Sequence, residues 1–139
     1  MNTLSFTPAH RLQELDKQEM NSPGTFLENA ALRWLKTKGL RVVAKNYRSS
    51  GGKIDLIMKE GDNLCFITVK YLGLQEYLEH GDKLSKPEQQ QMMKGADSFT
   101  IHQHKYYHSP RRFDVLIVTP GADDPYEMKW IKEVFTPLD

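Results

Sequence analysis

Cysteine is nearly absent from this chain, and long hydrophobic runs are missing altogether. Cys65 is the single cysteine among 139 residues, so an internal disulfide is excluded and one thiolate is too little for a zinc site. Because it lies in the apolar run LCFITV, we expect a buried small hydrophobe rather than a nucleophile. No apolar stretch approaches the roughly 20 residues of a membrane helix, and the start lacks the features of a secretory signal. We therefore expect a cytoplasmic protein with no membrane partner.

A strong charge of one sign is also lacking. The formal net charge is +1, whereas dedicated nucleic-acid-binding domains are usually more basic. The cations are nevertheless unevenly placed, because residues 33–53 contain no acid but carry Arg33, Lys36, Lys38, Arg41, Lys45, Arg48 and Lys53. This block is either a footprint for phosphate groups or an ordinary solvated surface, and composition favours neither interpretation.

The domain organisation is simple. Residues 1–22 are polar and weakly patterned, and we interpret them as an N-terminal arm that is either flexible or forms a short helix near residues 8–19. Length and composition predict one α/β domain for residues 23–139.

Two helices are predicted. Apolar residues recur at helical spacing from about residue 25 to 38, with Thr25 and Glu28 as a capping box and Gly39 as the stop. A second helix is predicted from about residue 87 to 102, capped by Ser85 and Glu88. Between the strands and this helix, residues 72–86 are expected to be an irregular connection.

Strand-like runs occupy much of the remaining chain. They lie at residues 40–48, 53–59, 64–71 and 112–119, with a last strand or short helix at 126–135. Short turns make the first three an antiparallel meander, whereas the helix before the fourth allows it to run parallel to the third. The predicted fold is a mixed sheet of four to five strands flanked by helices.

The second strand carries an unusual polar residue. Ile54, Leu56 and Met58 are expected on one face, and Asp55 with Ile57 on the other, while Lys53 is expected on the face opposite Asp55. Aspartate is disfavoured inside strands, which favours a functional role over local hydrogen bonding.

Lys70 and Glu28 are the candidate companions of Asp55. Asp55 and Lys70 lie at similar distances from the turn between their strands, so they can meet across the pair, and Thr68 shares a face with Lys70. Carboxylates that hold magnesium beside a lysine are the machinery of metal-dependent nucleases. The alternatives are a solvated Lys70 and a Glu28 that serves only the capping box with Thr25.

The segments containing these residues resemble the YraN family of bacterial proteins, whose fold is that of PD-(D/E)XK nucleases and Holliday-junction resolvases. The resemblance extends over residues 24–135, with a poor match at 72–110. The matching segments are GTFLENAALRWLKTKGLRVVAKNYRSSGGKIDLIMKEGD, LCFITVKY, RRFDVLIV and MKWIKEVF. The resemblance implies the restriction-endonuclease-like version of the mixed α/β fold.

The family pattern is only partly kept. Glu28 fills the place of the family's helix glutamate, and Asp55 keeps the aspartate of Gly-Glu-Ile-Asp, although Lys53 replaces the glutamate. The family's Glu-Val-Lys is here Thr68-Val69-Lys70, so the second metal-binding carboxylate is a threonine. A family lysine at the second helix aligns with Glu88, beside Lys86. The resemblance implies Asp55, Lys70 and Glu28 as catalytic residues, with Asp55 and Glu28 as weak Mg²⁺ ligands.

Loss of a carboxylate weakens a magnesium site, because a hard cation prefers carboxylate oxygen to a neutral hydroxyl. We therefore predict a protein that binds DNA or RNA with a weak or inactive metal site. The predicted nucleic-acid contacts are Arg41, Lys45, Arg48 and Lys53.

Two other functions stay open. One is an active magnesium-dependent endonuclease or junction resolvase with a relocated acid, for which Glu76 and Glu79 are candidates. The other is a protein-interaction scaffold without catalysis. A homodimer also stays open, since resolvase-like enzymes act as dimers.

The region before the fourth strand carries histidines and arginines. His104 and His108 would share a face if the helix continued past His102, but no nearby acid or cysteine completes a metal set. We expect an ordinary polar helix end, with stacking of the HKYYH segment on bases as the alternative. The role of Asp114 is left open, with a salt bridge to Arg112 or Arg111 as the simplest alternative.

Overall fold

The computed structural model describes residues 26–81, 83–121 and 126–137. The predicted arm at 1–22 and the cap at Thr25 lie outside the described residues. The chain forms helix α1 (Phe26–Thr37), strands β1 (Arg41–Ser49), β2 (Gly52–Glu60) and β3 (Asn63–Tyr71), helices α2 (Leu74–His80) and α3 (Lys86–His102), a 3₁₀ turn (His104–Tyr106), and strands β4 (Arg111–Pro120) and β5 (Tyr126–Phe135).

The five strands form one mixed sheet in the order β1-β2-β3-β4-β5. Strands β1, β2 and β3 are an antiparallel meander joined by two-residue turns, in which Gly51 and Gly61 take the positive φ angles that glycine tolerates. β3 and β4 run parallel, with α2 and α3 in the connection between them. The mixed sheet flanked by helices is confirmed.

Each face of the sheet is covered by a helix. α3 contributes Met92, Ala96 and Phe99 to one buried cluster, and α1 contributes Ala31, Leu32 and Leu35 to another. The central strands supply alternate residues to the two clusters, as the pleat of a strand requires. Cys65 is buried in the α1 cluster, and burial raises the pKa of its thiol to about 11, so the prediction of a buried hydrophobe is confirmed.

Three expectations need correction or completion. Residues 72–86 are not wholly irregular, because they contain α2, which Gly73 and Glu76 cap; seven residues are too few for a clear period in the sequence. The segment at 126–135 is a strand. Ile54 packs in the α3 cluster with Ile57 instead of with Leu56 and Met58, so the alternation of β2 breaks next to Asp55.

The tip of the β1–β2 hairpin is held against α3 through two glycines. A Cβ added to Gly52 would lie 2.5 Å from the backbone nitrogen of Gly95, and one added to Gly95 would lie 2.8 Å from Ile54 Cγ1. Only residues without a side chain permit this approach. The contact ties the start of β2 to the middle of α3.

Across the described ranges, no helix combines the length and apolarity that crossing a membrane requires.

Candidate functional site

Asp55 lies where two neighbouring strands stop pairing. Paired residues of β2 and β3 run from Glu60 with Asn63 to Leu56 with Ile67. One step further, the carboxylate of Asp55 accepts a hydrogen bond from the backbone N–H of Val69 at 2.8 Å. The Asp55 side chain thus replaces a backbone carbonyl as the acceptor at the point where the ladder of backbone hydrogen bonds ends. We call this place, formed by Asp55, Thr68 and Val69, the strand notch.

Burial dominates the electrostatics of Asp55, which is 8% exposed. Burial raises the pKa of Asp55 above its ordinary value, and the charge of Glu28 acts in the same direction. The Val69 amide, Lys53 and Arg48 oppose the shift without cancelling it. The charge of Glu28 thus acts on Asp55 in surroundings that disfavour two negative charges, and the shared role of these two residues stays a prediction.

Lys53 lies on the same side as Asp55. Its Nζ is 3.8 Å from Asp55 Oδ1. The expectation that it points to the opposite face was wrong, because residues two apart on a strand share a face. Lys53 therefore places a positive charge at the notch.

Lys70 does not meet Asp55. Its Nζ donates to Glu88 Oε1 at 3.0 Å and lies 3.0 Å from Oε2. The pairing of β2 with β3, continued by one step, sets Thr68 rather than Lys70 opposite Asp55. The expected contact between Asp55 and Lys70 was wrong, because the register differs by two residues from the one that we expected. Lys70 contacts α3 instead.

Glu88 serves two partners at once. It accepts a hydrogen bond from the Ser85 amide at 2.9 Å, which completes the predicted capping box of α3. Burial raises the pKa of Glu88, but the bonds from Ser85 and Lys70 outweigh burial and leave it lowered. Glu88 thus neutralises Lys70.

The donors at the notch do not fit a resident magnesium ion. Asp55 already uses one oxygen for Val69, Thr68 offers only a neutral hydroxyl, and Glu28 is the second carboxylate. Within residues 26–81, 83–121 and 126–137, no three His, Cys, Asp or Glu side chains are grouped to hold a metal ion. The proposed substitutes, Glu76 and Glu79, lie exposed on α2, where Glu76 accepts the Gly73 amide.

Cations collect at the hairpin tip beside the notch. Arg48 and Lys53 are direct cross-strand partners, and both are exposed. Lys94 of α3 lies over Gly51, with its Nζ 3.5 Å from where a Cβ of that glycine would be. We call Arg48, Lys53 and Lys94 the tip cluster. Sequence reasoning missed Lys94, which only the contact between Gly52 and Gly95 brings to the tip.

The other two predicted contacts lie further along the same strand. Lys45 is exposed in the middle of β1 and pairs with Leu56. Arg41 is exposed at the opposite end, directly across from Lys59. β1 is an edge strand and carries three of the four predicted residues, whereas Lys53 lies on the neighbouring strand β2, directly across from Arg48.

Asp114 is a second buried carboxylate, and its role is structural. It accepts hydrogen bonds from Arg112 Nε at 2.9 Å, Trp130 Nε1 at 2.9 Å and the Glu133 amide at 3.0 Å. Arg112 also contacts Glu60 at 2.7 Å. The expected pairing is confirmed for Arg112, whereas Arg111 pairs with Asp97.

The histidines do not share a helix face. α3 ends at His102, whose Nδ1 bonds to the Ser98 carbonyl, and His104 begins the 3₁₀ turn. His108 packs edge-on against Tyr107. The helix end is polar and exposed, and stacking of this segment on bases stays an untested alternative.

Comparison with known proteins places the chain among bacterial relatives. A family model described as uncharacterised protein family UPF0102 matches residues 27–118, which is more than half of the 139 residues. The chain belongs to this family. The matched range contains the notch, the hairpin tip and α3.

Individual relatives align over most of their own lengths. A UPF0102 protein of Marinobacter nauticus is 33% identical over 109 residues, covering 78% of this chain and 88% of the relative. A UPF0102 protein of Klebsiella pneumoniae is 35% identical over 127 residues, covering 91% and 92%. The UPF0102 protein YraN of a Salmonella newport strain is 34% identical over 113 residues, covering 81% and 82%. The resemblance to the YraN family is confirmed, and the nuclease-like activity stays a prediction.

Proposed function

We propose that this UPF0102 member binds the phosphate backbone of DNA or RNA along the rim of β1 and does not cleave it efficiently. The observation that carries the proposal is the tip cluster beside a notch whose metal ligands are incomplete. A cation, Lys53, lies 3.8 Å from Asp55, the strand carboxylate that the chain keeps from the nuclease pattern. Thr68 stands where that pattern needs a second carboxylate.

Charge placement supports phosphate binding. Arg41, Lys45 and Arg48 are exposed on the edge strand β1, and Lys53 is exposed beside them at the start of β2. Positive side chains grouped in this way attract a polyanion. Binding of this kind releases counterions, so its strength falls steeply with salt. It reads backbone rather than sequence, because phosphate contacts carry no base information.

Salt dependence tests the proposal. In Arg48→Gln/Lys53→Gln, we expect the slope of log affinity against log salt for duplex DNA to fall by about 2, since each phosphate contact contributes about 0.9. Lys36→Gln/Lys38→Gln, which removes the same charge at the end of α1, serves as the matched control and should leave the slope unchanged. An equal decrease of the slope in both variants would show that the effect depends only on net charge. Absence of salt-sensitive binding to DNA and RNA would favour the scaffold function.

An active magnesium-dependent endonuclease is a second candidate, and one observation favours it. Asp55 is buried with a raised pKa, and perturbed carboxylates concentrate at functional sites. Mg²⁺ can be held by two carboxylates when substrate phosphates supply other ligands. This function requires metal-dependent cleavage that disappears in Asp55→Asn, whereas nucleic-acid binding persists.

A further inference from the structure

The end of β1 far from the hairpin tip contains a cationic pocket. It is lined by Arg41, Val42, Val43, Lys59, Lys105 and Tyr106. Three of these six side chains are positive and none is negative. The pocket joins two parts of the chain that are distant in sequence, the edge of the sheet and the 3₁₀ turn after α3.

Among the described residues, the three cations have no carboxylate partner. Arg41 and Lys59 are directly opposite each other across β1 and β2, an arrangement in which like charges repel. In the part of the chain that the structure describes, no carboxylate lies within ion-pair distance of Arg41, Lys59 or Lys105. Other cations of the same sheet are neutralised, as Lys70 is by Glu88 and Lys132 by Glu60. The pocket therefore lacks a counter-anion.

Tyr106 gives the pocket a rigid wall. Its ring stacks on Phe99 with centroids 5.8 Å apart, and Phe99 is buried in the α3 cluster. Lys105 Nζ lies 5.1 Å and Lys59 Nζ 5.9 Å from the centre of the Tyr106 ring. Attraction to the Tyr106 ring holds the ammonium groups of both lysines near each other. The two lysines are therefore positioned in the pocket before a ligand binds.

We propose that this pocket binds a phosphate group of a nucleotide or nucleic-acid strand through Arg41, Lys59 and Lys105. Arginine offers a planar pair of donors that matches phosphate oxygens, and the lysines add point charges. For the nucleic-acid source, the inference rests on the proposed function and adds a second contact point to it. Arg41 and Arg48 are seven residues apart on one strand, which corresponds to roughly 20 Å.

Length dependence follows from this separation. A strand with about 3.4 Å of rise per nucleotide spans roughly 20 Å in about six nucleotides. A single-stranded 12-mer should therefore engage the pocket and the tip cluster together, whereas a 3-mer reaches only one of them. Joining two contacts on one ligand raises affinity well above that of either alone.

The test compares Lys59→Gln/Lys105→Gln with the control Lys36→Gln/Lys38→Gln, using anisotropy of a labelled single-stranded 12-mer at two salt concentrations. We expect the pocket variant to bind about tenfold more weakly at low salt, with its salt slope reduced by about 1.4, because each single-strand phosphate contact contributes about 0.7. In a second measurement, inorganic phosphate and adenosine monophosphate are titrated into the wild type while the amide signal of Tyr106 is followed by NMR. Thermal unfolding checks that each variant is folded.

The outcomes separate the two proposals. Loss of 12-mer affinity in the pocket variant beyond that of the control supports the pocket. If only Arg48→Gln/Lys53→Gln loses affinity for the 12-mer, and the Tyr106 signal does not respond to phosphate, the pocket proposal is overturned and the proposed function stands. If the wild type ignores the 12-mer but Tyr106 responds to adenosine monophosphate, and the pocket variant abolishes the response, the pocket stands as a nucleotide site and the proposed function fails. No response to any of these ligands overturns both.

Discussion

Two aspartates are buried in the central sheet, and their surroundings differ sharply. Asp114 is 0% exposed and receives hydrogen bonds from Arg112, Trp130 and the Glu133 amide. Asp55 is 8% exposed and receives one backbone hydrogen bond, from Val69, with Lys53 at 3.8 Å. Both carboxylates lie on inner strands, yet only one is fully compensated.

The difference separates a structural carboxylate from a candidate functional one. A buried charge is tolerated when hydrogen bonds and an opposite charge replace its water. Asp114 meets that condition and holds β5 on β4 at the irregular pairing between Phe113 and Val115. Asp55 meets it poorly, and burial raises its pKa. A buried carboxylate that lowers stability and has few compensating contacts is typical of a functional site.

The largest expected effect belongs to Asp114. Asp114→Ala leaves Arg112 without its main partner and frees two further donors, so we expect a loss of about 3–5 kcal/mol in the free energy of unfolding. Urea denaturation measures it. Asp97→Ala, which breaks the exposed pair with Arg111, is the control and should cost about 1 kcal/mol or less. Equal losses in the two variants would remove the structural distinction drawn for Asp114.

A smaller loss is expected at the hairpin tip that supports Asp55. Gly52→Ala places a Cβ 2.5 Å from the Gly95 backbone nitrogen, so the hairpin and α3 must separate. We expect the free energy of unfolding to fall by about 1–3 kcal/mol, as it does at other overpacked sites. Gly73→Ala is the matched control, because its φ is −64° and the nearest atom to an added Cβ is 3.9 Å away. A Gly52→Ala variant as stable as Gly73→Ala would show that the contact does not hold the tip.

Asp55→Asn should cost little and can stabilise the protein at neutral pH. The amide keeps an acceptor for Val69 and removes a charge that burial disfavours. Since the folded-state pKa lies above the ordinary value of 3.8, the folded state binds the proton more tightly than the unfolded state. The stability of the wild type relative to the variant is therefore highest below pH 3.8 and falls as pH rises through the folded-state pKa.

Denaturation of wild type and Asp55→Asn between pH 3.5 and 7 measures this difference. If the free energy of unfolding of the wild type instead increases relative to that of Asp55→Asn as the pH rises, Asp55 has the stabilising role that we assign to Asp114.

The smallest effect is expected for Lys70 and Glu88. Their side chains are 21% and 36% exposed, so solvent screens the pair, and a double-mutant cycle with glutamine at each position should give about 1 kcal/mol or less of coupling. A coupling above 3 kcal/mol would place this pair with the buried network of Asp114 instead.

Sequence patterns predicted the parts of the fold that repeat over many residues. The long helices, the strand runs and the parallel pairing of β3 with β4 follow from periodicity and connection length. The motif also singled out Asp55, which is buried, and Glu28, whose charge raises the pKa of Asp55. α2 escaped prediction because seven residues carry little periodic signal.

The finer geometry of the site depends on three-dimensional contacts. Lys94 reaches the tip only because two glycines let α3 approach the hairpin. Lys70 contacts Glu88, and the pairing of β2 with β3 ends at Leu56 and Ile67, one step before Asp55. The close approach of two backbones is not visible in local sequence patterns, whereas the register follows from the short turn and was misjudged by two residues.

The central claim is binding without efficient cleavage, and one assay tests it most directly. Wild-type protein is titrated onto labelled duplex and four-way-junction DNA at low and high salt with EDTA, and the bound complexes are then supplied with Mn²⁺. We predict salt-sensitive complexes whose DNA stays intact, and gain of metal-dependent cleavage or metal affinity in Thr68→Glu. Cleavage by the wild type with Mn²⁺ that disappears in Asp55→Asn would contradict the account and show that the notch is a working nuclease site.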